Sequence, residues 1–152
     1  MSTAVVALVD FAINLAILFG LMLWYGFAPS WHIALLPAFV ALAMLASLGP
    51  AFLITALNVK YRDFRYIIPF IVQFGLYISP VGFSSALVPE GWRFWYSLNP
   101  VVGVIDGFRW CVLGDSHIYP PGFLLSLTVV AFFLWLGTAY FRRTERSFAD
   151  LI

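Results

Sequence analysis

Residues 33–57 read IALLPAFVALAMLASLGPAFLITAL, a run of 25 residues without a charged side chain. A helix of that length extends about 37 Å at ~1.5 Å per residue, which exceeds the ~30 Å hydrocarbon core of a bilayer. The excess predicts that the helix tilts, or bends at Pro37 or at Gly49-Pro50. This stretch therefore predicts a membrane-spanning helix.

The rest of the chain has the same character. Of the 152 residues, 63% are hydrophobic and only 10% are charged, and the mean hydropathy is +0.98. A soluble domain carries roughly 25% charged residues. Residues 11–59, 66–89 and 116–141 contain no Asp, Glu, Lys or Arg, as the cost of a charge at the bilayer centre (about 2.5–3.5 kcal/mol on insertion scales) requires. The sequence predicts an all-α polytopic membrane protein.

The apolar runs predict about four transmembrane helices in a single transmembrane domain over residues 1–152. The spans are expected at residues 4–27, 33–57, 67–87 and 121–141. The third is interrupted by Ser79-Pro80. A basic loop at residues 58–66 follows the second span, and a basic tail at residues 142–152 follows the fourth.

Between the third and fourth spans, residues 92–114 have a different pattern. Asn99-Pro100 is typical of a helix N-cap followed by proline at the first helical position, and Gly114 is a suitable stop. The helix between them has 14 residues, about 21 Å, which is too short to cross a bilayer. We therefore expect a re-entrant helical segment on the outer side of the membrane.

This short helix carries two further patterns. Asp106 and Arg109 are three residues apart on one face, so they form a candidate buried ion pair. Gly103 and Gly107 have the spacing of small residues that permits close helix packing, although the pattern is common by chance.

Orientation follows from the basic residues. Six of the eight lie in the loop at 58–66 or in the tail at 142–152, and both clusters are expected in the cytoplasm under the positive-inside rule. They share one side only if residues 92–119 do not cross the membrane. Residues 29–32 and 84–120 then lie outside, and Met1 lies inside.

Two features leave alternatives open. Asp10 and Asn14 share a helix face, which favours either a polar path or an interfacial Asp10 with Asn14 bonded to a neighbouring helix. Ser79-Pro80 removes a helical hydrogen bond and frees carbonyl groups that need partners. It indicates either a hinge beside a conduction path or a static kink.

The sequence predicts no catalytic, cofactor-binding or metal-binding residue. It contains no GxSxG, phosphate-binding loop or HExxH motif, and His32 and His117 have no metal-ligand spacing. The single Cys111 excludes an internal disulfide. A net charge of +1 gives no indication of a nucleic-acid partner, and none is expected.

Several short segments recur in a known family. In chain order they are Asn58-Val59-Lys60-Tyr61-Arg62-Asp63, Gln73, Ser79-Pro80-Val81, Asn99-Pro100, Arg109 and Phe141-Arg142-Arg143-Thr144-Glu145-Arg146-Ser147-Phe148-Ala149-Asp150. Together they resemble the membrane (permease) subunit of type-2 ABC exporters, in the branch that exports O-antigen, teichoic acid and capsular polysaccharide. The resemblance covers nearly the whole chain.

The resemblance implies a six-span subunit of the bacterial inner membrane that forms a homodimer and pairs with cytoplasmic ATP-binding-cassette subunits. A lipid-linked glycan would pass between the two permeases, and the chain itself would not be an enzyme. The implied site residues are an ATPase-coupling loop (Asn58, Lys60, Tyr61, Arg62, Asp63, Phe64, Arg65), a helix break and outer gate (Ser79, Pro80, Asn99, Pro100) and a cytoplasmic tail (Glu145, Phe148, Asp150).

The same resemblance implies that the chain is N-terminally truncated relative to the family, since it begins near the family's third span. Without a phosphate-binding loop, energy must arrive through a contact at the basic loop or the tail. One alternative function is a structural or assembly membrane protein. A transferase acting on lipid-linked sugars is disfavoured because Asp10, Asp63 and Asp106 are scattered over different sides.

Overall fold

The computed structural model describes residues 2–27, 30–61, 63–114 and 118–149. Its α-helices are α1 (Ser2–Trp24), α2 (Leu36–Lys60), α3 (Phe64–Ile78), α4 (Glu90–Tyr96), α5 (Pro100–Leu113) and α6 (Pro120–Ala149). Short 3-10 helices occupy Trp31–Leu35 and Ser85–Leu87. Segments long and apolar enough to cross a membrane are Val5–Trp24, Trp31–Lys60 and Pro120–Thr144. The predicted all-α polytopic fold is confirmed.

The third predicted span differs most from the structure. Instead of running over residues 67–87, α3 covers 15 residues and ends at Ile78, about 22 Å at ~1.5 Å per residue. Ser79 has an extended backbone, and Pro80 cannot donate to the helical ladder. The apolar residues that follow form turns and a 3-10 helix. α3 alone is therefore too short to cross a bilayer.

The predicted loop and tail are also shorter or more helical than expected. α2 continues through Lys60 and α3 begins at Phe64, so the loop predicted at 58–66 shrinks to a few residues between two helices. α6 continues through the predicted tail to Ala149 because no glycine or proline follows Gly137 to stop it. The N-terminal helix ends at Trp24 rather than at residue 27.

The centre of the fold is the crossing of α2 and α6. Gly49 and Gly137 meet there, and a Cβ atom at Gly49 would lie 2.7 Å from the backbone carbonyl carbon of Phe133. Further along both helices, the rings of Phe52 and Phe141 are 5.5 Å apart. Because later residues of α2 meet later residues of α6, the two helices run parallel. Their basic ends therefore lie at the same end of the bundle.

α5 packs against both helices of this pair. Val104 packs with Ala46 of α2 and Val130 of α6. Ala46 and Val130 each lie ten residues after the first residue of their helix, a distance of about 15 Å at ~1.5 Å per residue. Val112, near the other end of α5, packs with Leu36 at the start of α2. α5 therefore runs antiparallel to α2 and ends near the start of α2.

Two glycines allow α5 to approach its neighbours. A Cβ at Gly103 would lie 2.7 Å from Cβ of Ser126 on α6, and one at Gly107 would collide with the ring of Phe39 on α2. The close packing that the glycine spacing permits is observed. The predicted ends of α5 are confirmed as well, since Asn99 caps the first turn and Gly114 ends the helix with a left-handed φ of 73°.

Candidate functional site

The predicted helix break at Ser79-Pro80 and the predicted helix start at Asn99-Pro100 are joined by one side chain. Asn99 accepts a hydrogen bond from the Val101 amide through Oδ1 (3.1 Å), which caps α5. Its Nδ2 donates to Oγ of Ser79 at 2.9 Å, at the residue where α3 ends. Ser79 and Pro80 are both buried. One asparagine thus joins the end of α3 to the start of α5.

A second bond reinforces this connection. The end of a helix leaves its last carbonyl groups without helical partners, and a following proline prevents the helix from continuing. The Tyr96 hydroxyl donates to the Ile78 carbonyl oxygen at 2.8 Å. We call the contacts of Ile78 and Ser79 with Tyr96 and Asn99 the outer junction.

The outer junction is also fixed to α6. Ser126 Oγ donates to the Ser97 carbonyl oxygen at 2.9 Å, and Ser126 is buried. Ser97 lies in the turn between α4 and α5. A buried hydroxyl without a partner would cost free energy, so this bond both satisfies Ser126 and holds the turn between α4 and α5 against α6.

The candidate ion pair lies beside the outer junction. Nη1 of Arg109 is 4.0 Å from Oδ1 of Asp106, and both side chains are about one-quarter exposed. Oδ1 of Asp106 also accepts a hydrogen bond from Ser85 Oγ at 2.6 Å, and Nη2 of Arg109 donates to the Val81 carbonyl oxygen at 3.3 Å. Both charged groups of α5 therefore hold the segment that follows α3.

Arg93 holds the same segment from α4. Its Nε donates to the Val88 carbonyl oxygen at 2.9 Å, and its Nη2 donates to that of Ala86 at 3.0 Å. Sequence reasoning singled out none of Ser85, Arg93, Tyr96 and Ser126 for these bonds. No local signal identifies them, because each partner lies on another element or across a turn.

At the opposite end of the bundle, the predicted coupling residues line a shallow polar depression. Its volume is about 440 Å³, and Asn58, Asp63, Arg65 and Tyr66 line it. Asp63 precedes the first turn of α3, and its carboxylate makes no helix-capping hydrogen bond. That carboxylate is exposed and remains available to a partner.

The other predicted coupling residues surround this depression. The Lys60 ammonium lies 5.4 Å from the centre of the Tyr61 ring, and Phe64 begins α3. Arg62 lies outside the described residues. In the predicted tail, Glu145 and Phe148 belong to α6 but their side chains are not among those described, and Asp150 lies outside the described residues.

Among the described residues, the hydrogen bond recorded for the Asn14 side chain stays within α1. Nδ2 of Asn14 donates to the backbone oxygen of Asp10 at 2.9 Å, within α1. Among the described residues, no group of three or more His, Cys, Asp or Glu side chains is placed to hold a metal ion.

The fold defines a helical membrane protein in which α5 packs against α2 and α6, and the basic ends of α2 and α6 lie together. Residues 1–113 match the family model described as ABC-2 type transporter. The chain belongs to this family.

Its curated relatives are named as O-antigen export permeases. The chain is 25% identical to "O-antigen export system permease protein RfbA" of Myxococcus xanthus, over 99% of this chain and 59% of that protein. It is 21% identical to a protein of the same name from Klebsiella pneumoniae, over 93% of this chain and 55% of that protein. The chain thus spans between one half and three-fifths of these relatives. No solved structure matches.

Proposed function

We propose that this chain forms part of the permease of an ABC exporter that moves a lipid-linked polysaccharide across the bacterial inner membrane. The observation that carries the proposal is the match, over almost the whole chain, to relatives named as O-antigen export permeases. The parallel course of α2 and α6 supports it, because it gathers the basic residues at one end of the bundle. That end faces the cytoplasm under the positive-inside rule.

The energy for export comes from a separate ATP-binding-cassette subunit, so the permease itself is not an enzyme. The partner contacts the polar depression at Asn58, Asp63 and Arg65, where α2 passes into α3. A movement imposed there reaches α3 directly. The outer junction then transmits the position of α3 to α4 and α5, which act as the outer gate.

Two further parts of the proposal come from the family. Two copies of the permease form a dimer, and the lipid-linked glycan passes between them. The large uncovered apolar surface of α3 supports this arrangement, because none of its side chains is buried within the described chain. Membrane lipids cover whatever the second copy leaves free.

The coupling surface is tested with a double substitution that keeps every basic residue. Asp63→Ala with Phe64→Ala, made in the full-length protein, removes the exposed carboxylate and the first ring of α3. Membrane insertion should be unchanged, whereas polysaccharide export and copurification of the ATPase should be lost. The matched control is Glu90→Ala with Phe94→Ala, which removes an exposed acid and a ring at the opposite end. Because these residues lie on the proposed outer gate, the control is judged by copurification of the ATPase, which should be unchanged, and not by export.

Export at the parental rate by the Asp63/Phe64 variant would show that the basic segment is only a topogenic signal. Loss of ATPase copurification in the control as well would show that the effect does not locate the ATPase contact at Asp63 and Phe64. A chromosomal neighbour encoding an ATP-binding-cassette protein would favour the exporter over an assembly protein without its own transport path.

A further inference from the structure

Residues 81–85 form a strap that leads from the outer junction into the 3-10 helix Ser85–Leu87. None of the strap residues is buried, and a Cβ atom added at Gly82 would meet nothing within 4 Å. The rings of Phe83 and Tyr96 have their centres 6.3 Å apart, toward the outer limit of an aromatic contact. Apolar packing therefore contributes little to holding the strap in place, and a segment of this kind opens locally at low free-energy cost.

Two charged side chains of α5 hold the strap through polar contacts. Oδ1 of Asp106 accepts a hydrogen bond from Ser85 Oγ at 2.6 Å. Nη2 of Arg109 donates to the Val81 carbonyl oxygen at 3.3 Å, which exceeds the usual upper limit of about 3.2 Å for such a bond. The short bond from Ser85 to the carboxylate is therefore the stronger of the two contacts.

Arg109 has an unused donor beside the same carboxylate. Its Nη1 atom is enclosed and has no hydrogen-bond partner within the described part of the chain, and an enclosed donor whose bond is unmade costs free energy. Oδ1 of Asp106 lies 4.0 Å from this atom. The two residues are three apart on α5, which is a spacing at which oppositely charged side chains of a helix pair. A small change in side-chain conformation would therefore bring Nη1 and Oδ1 into a direct bond.

We propose that the strap is a latch in which Asp106 exchanges Ser85 for Arg109. In the closed state, which the structure shows, Asp106 holds Ser85 and Nη1 of Arg109 stays unpaired. When the strap lifts, Arg109 releases the Val81 carbonyl and pairs directly with Asp106, so one charge-assisted hydrogen bond replaces another. This exchange offsets much of the cost of lifting the strap. The latch depends only on polar groups of this chain and is independent of the exported substrate and of the ATPase partner.

The test measures the position of the strap by electron paramagnetic resonance in nanodiscs containing the full-length protein. Spin labels are attached at Gly82→Cys on the strap and Leu124→Cys on α6, because both positions are exposed, whereas the native Cys111 is fully buried. Ser85→Ala removes the bond to Asp106 and should raise the ratio of open to closed protein about tenfold, as loss of a hydrogen bond to a charged group predicts. Ser85→Thr keeps a hydroxyl and should retain the parental distances.

A second substitution separates the exchange from the simple loss of one bond. Asp106→Asn, added to Ser85→Ala, removes the charge that Arg109 meets in the open state. The ratio of open to closed protein should then fall about two- to fivefold, the range expected for a partly exposed ion pair. Ser84→Ala is the matched control, because Ser84 Oγ accepts its hydrogen bond from the Ala86 amide of the adjoining 3-10 helix rather than from α5. It should leave the distances as in the parent.

Unchanged distances in Ser85→Ala would overturn the latch, because the bond to Asp106 would not be what holds the strap. An open population that does not fall when Asp106→Asn is added would overturn the exchange, because Asp106 and Arg109 would not pair in the open state. Equal opening in Ser84→Ala would also contradict the proposal, since any weakening of the segment would then release it. An open population that rises in Ser85→Ala, falls with Asp106→Asn and stays parental in Ser84→Ala supports it.

Discussion

α5 and α3 are nearly equal in length, at 14 and 15 residues, and both are strongly apolar. Their surroundings differ completely. α5 buries Val102, Gly103, Val104, Gly107, Cys111 and Val112, whereas α3 buries no residue within the described chain. Hydrophobicity alone therefore does not decide burial here. The glycines of α5 allow α2 and α6 to approach α5 closely, whereas α3 carries large side chains in nearly all directions.

This difference assigns separate mechanical roles to the two helices. α5 is part of the packed scaffold, so its displacement disrupts many contacts at once. α3 is held mainly at its ends, by the short connection to α2 and by the outer junction. Lipid or a second copy can therefore replace most of its neighbours. In the proposed exporter, α3 is the element that moves against α5.

The largest expected effect is the difference in stability between adding one methyl group to α5 and adding one to α3. Gly107→Ala places a Cβ against the Phe39 ring, so the variant should lose about 1–3 kcal/mol of stability. Gly75→Ala in α3 meets no atom within 4 Å and should be neutral or stabilising by up to ~1 kcal/mol. Thermal unfolding in detergent measures both. Equal losses of stability in the two variants would show that α3 is packed as closely as α5.

A smaller effect is expected from cutting the link between the two helices. Asn99→Ala removes the cap of α5 and the bond to Ser79, and should cost about 1–2 kcal/mol. Ser79→Ala alone should cost less, because the cap survives. A double-mutant cycle of the two substitutions isolates the bond. Additive effects would mean that Asn99 acts only as a cap and that the outer junction does not couple α3 to α5.

The smallest effect is expected for the pair on α5. Asp106 and Arg109 are partly exposed and 4.0 Å apart, so their coupling should be about 1 kcal/mol or less. The combination of Asp106→Ala with Arg109→Leu should partly restore what Arg109→Ala loses. The measurement is a double-mutant cycle on unfolding and on export. A coupling of ~3 kcal/mol or more would indicate a fully buried pair instead.

The sequence predicts α5 well because the signals at its ends are local. Asn99-Pro100 starts the helix and Gly114 stops it, and both act through neighbouring backbone atoms. The end of α3 was harder to predict, since apolar residues continue beyond Pro80 and apolar composition alone does not distinguish a helix from a buried turn.

The hydrogen bonds of the candidate site were not predictable from sequence. Tyr96 reaches Ile78 across 18 residues, and Ser126 reaches Ser97 across 29. Such contacts depend on how α3, α4 and α6 pack together, which no local pattern encodes. The need for partners at the Ser79-Pro80 break was predictable from backbone chemistry, although the identity of those partners was not.

In the proposed exporter, the chain between α3 and α6 does not cross the membrane, so both basic ends face the cytoplasm. Single cysteines at Lys60, Trp92 and Arg143 test it with an impermeant thiol reagent added outside intact cells. The native Cys111 is fully buried and should not react with the reagent. We predict labelling at position 92 alone, with positions 60 and 143 reacting only after permeabilisation. Labelling of positions 60 and 92 from the same side, or of 60 and 143 from opposite sides, would contradict the account.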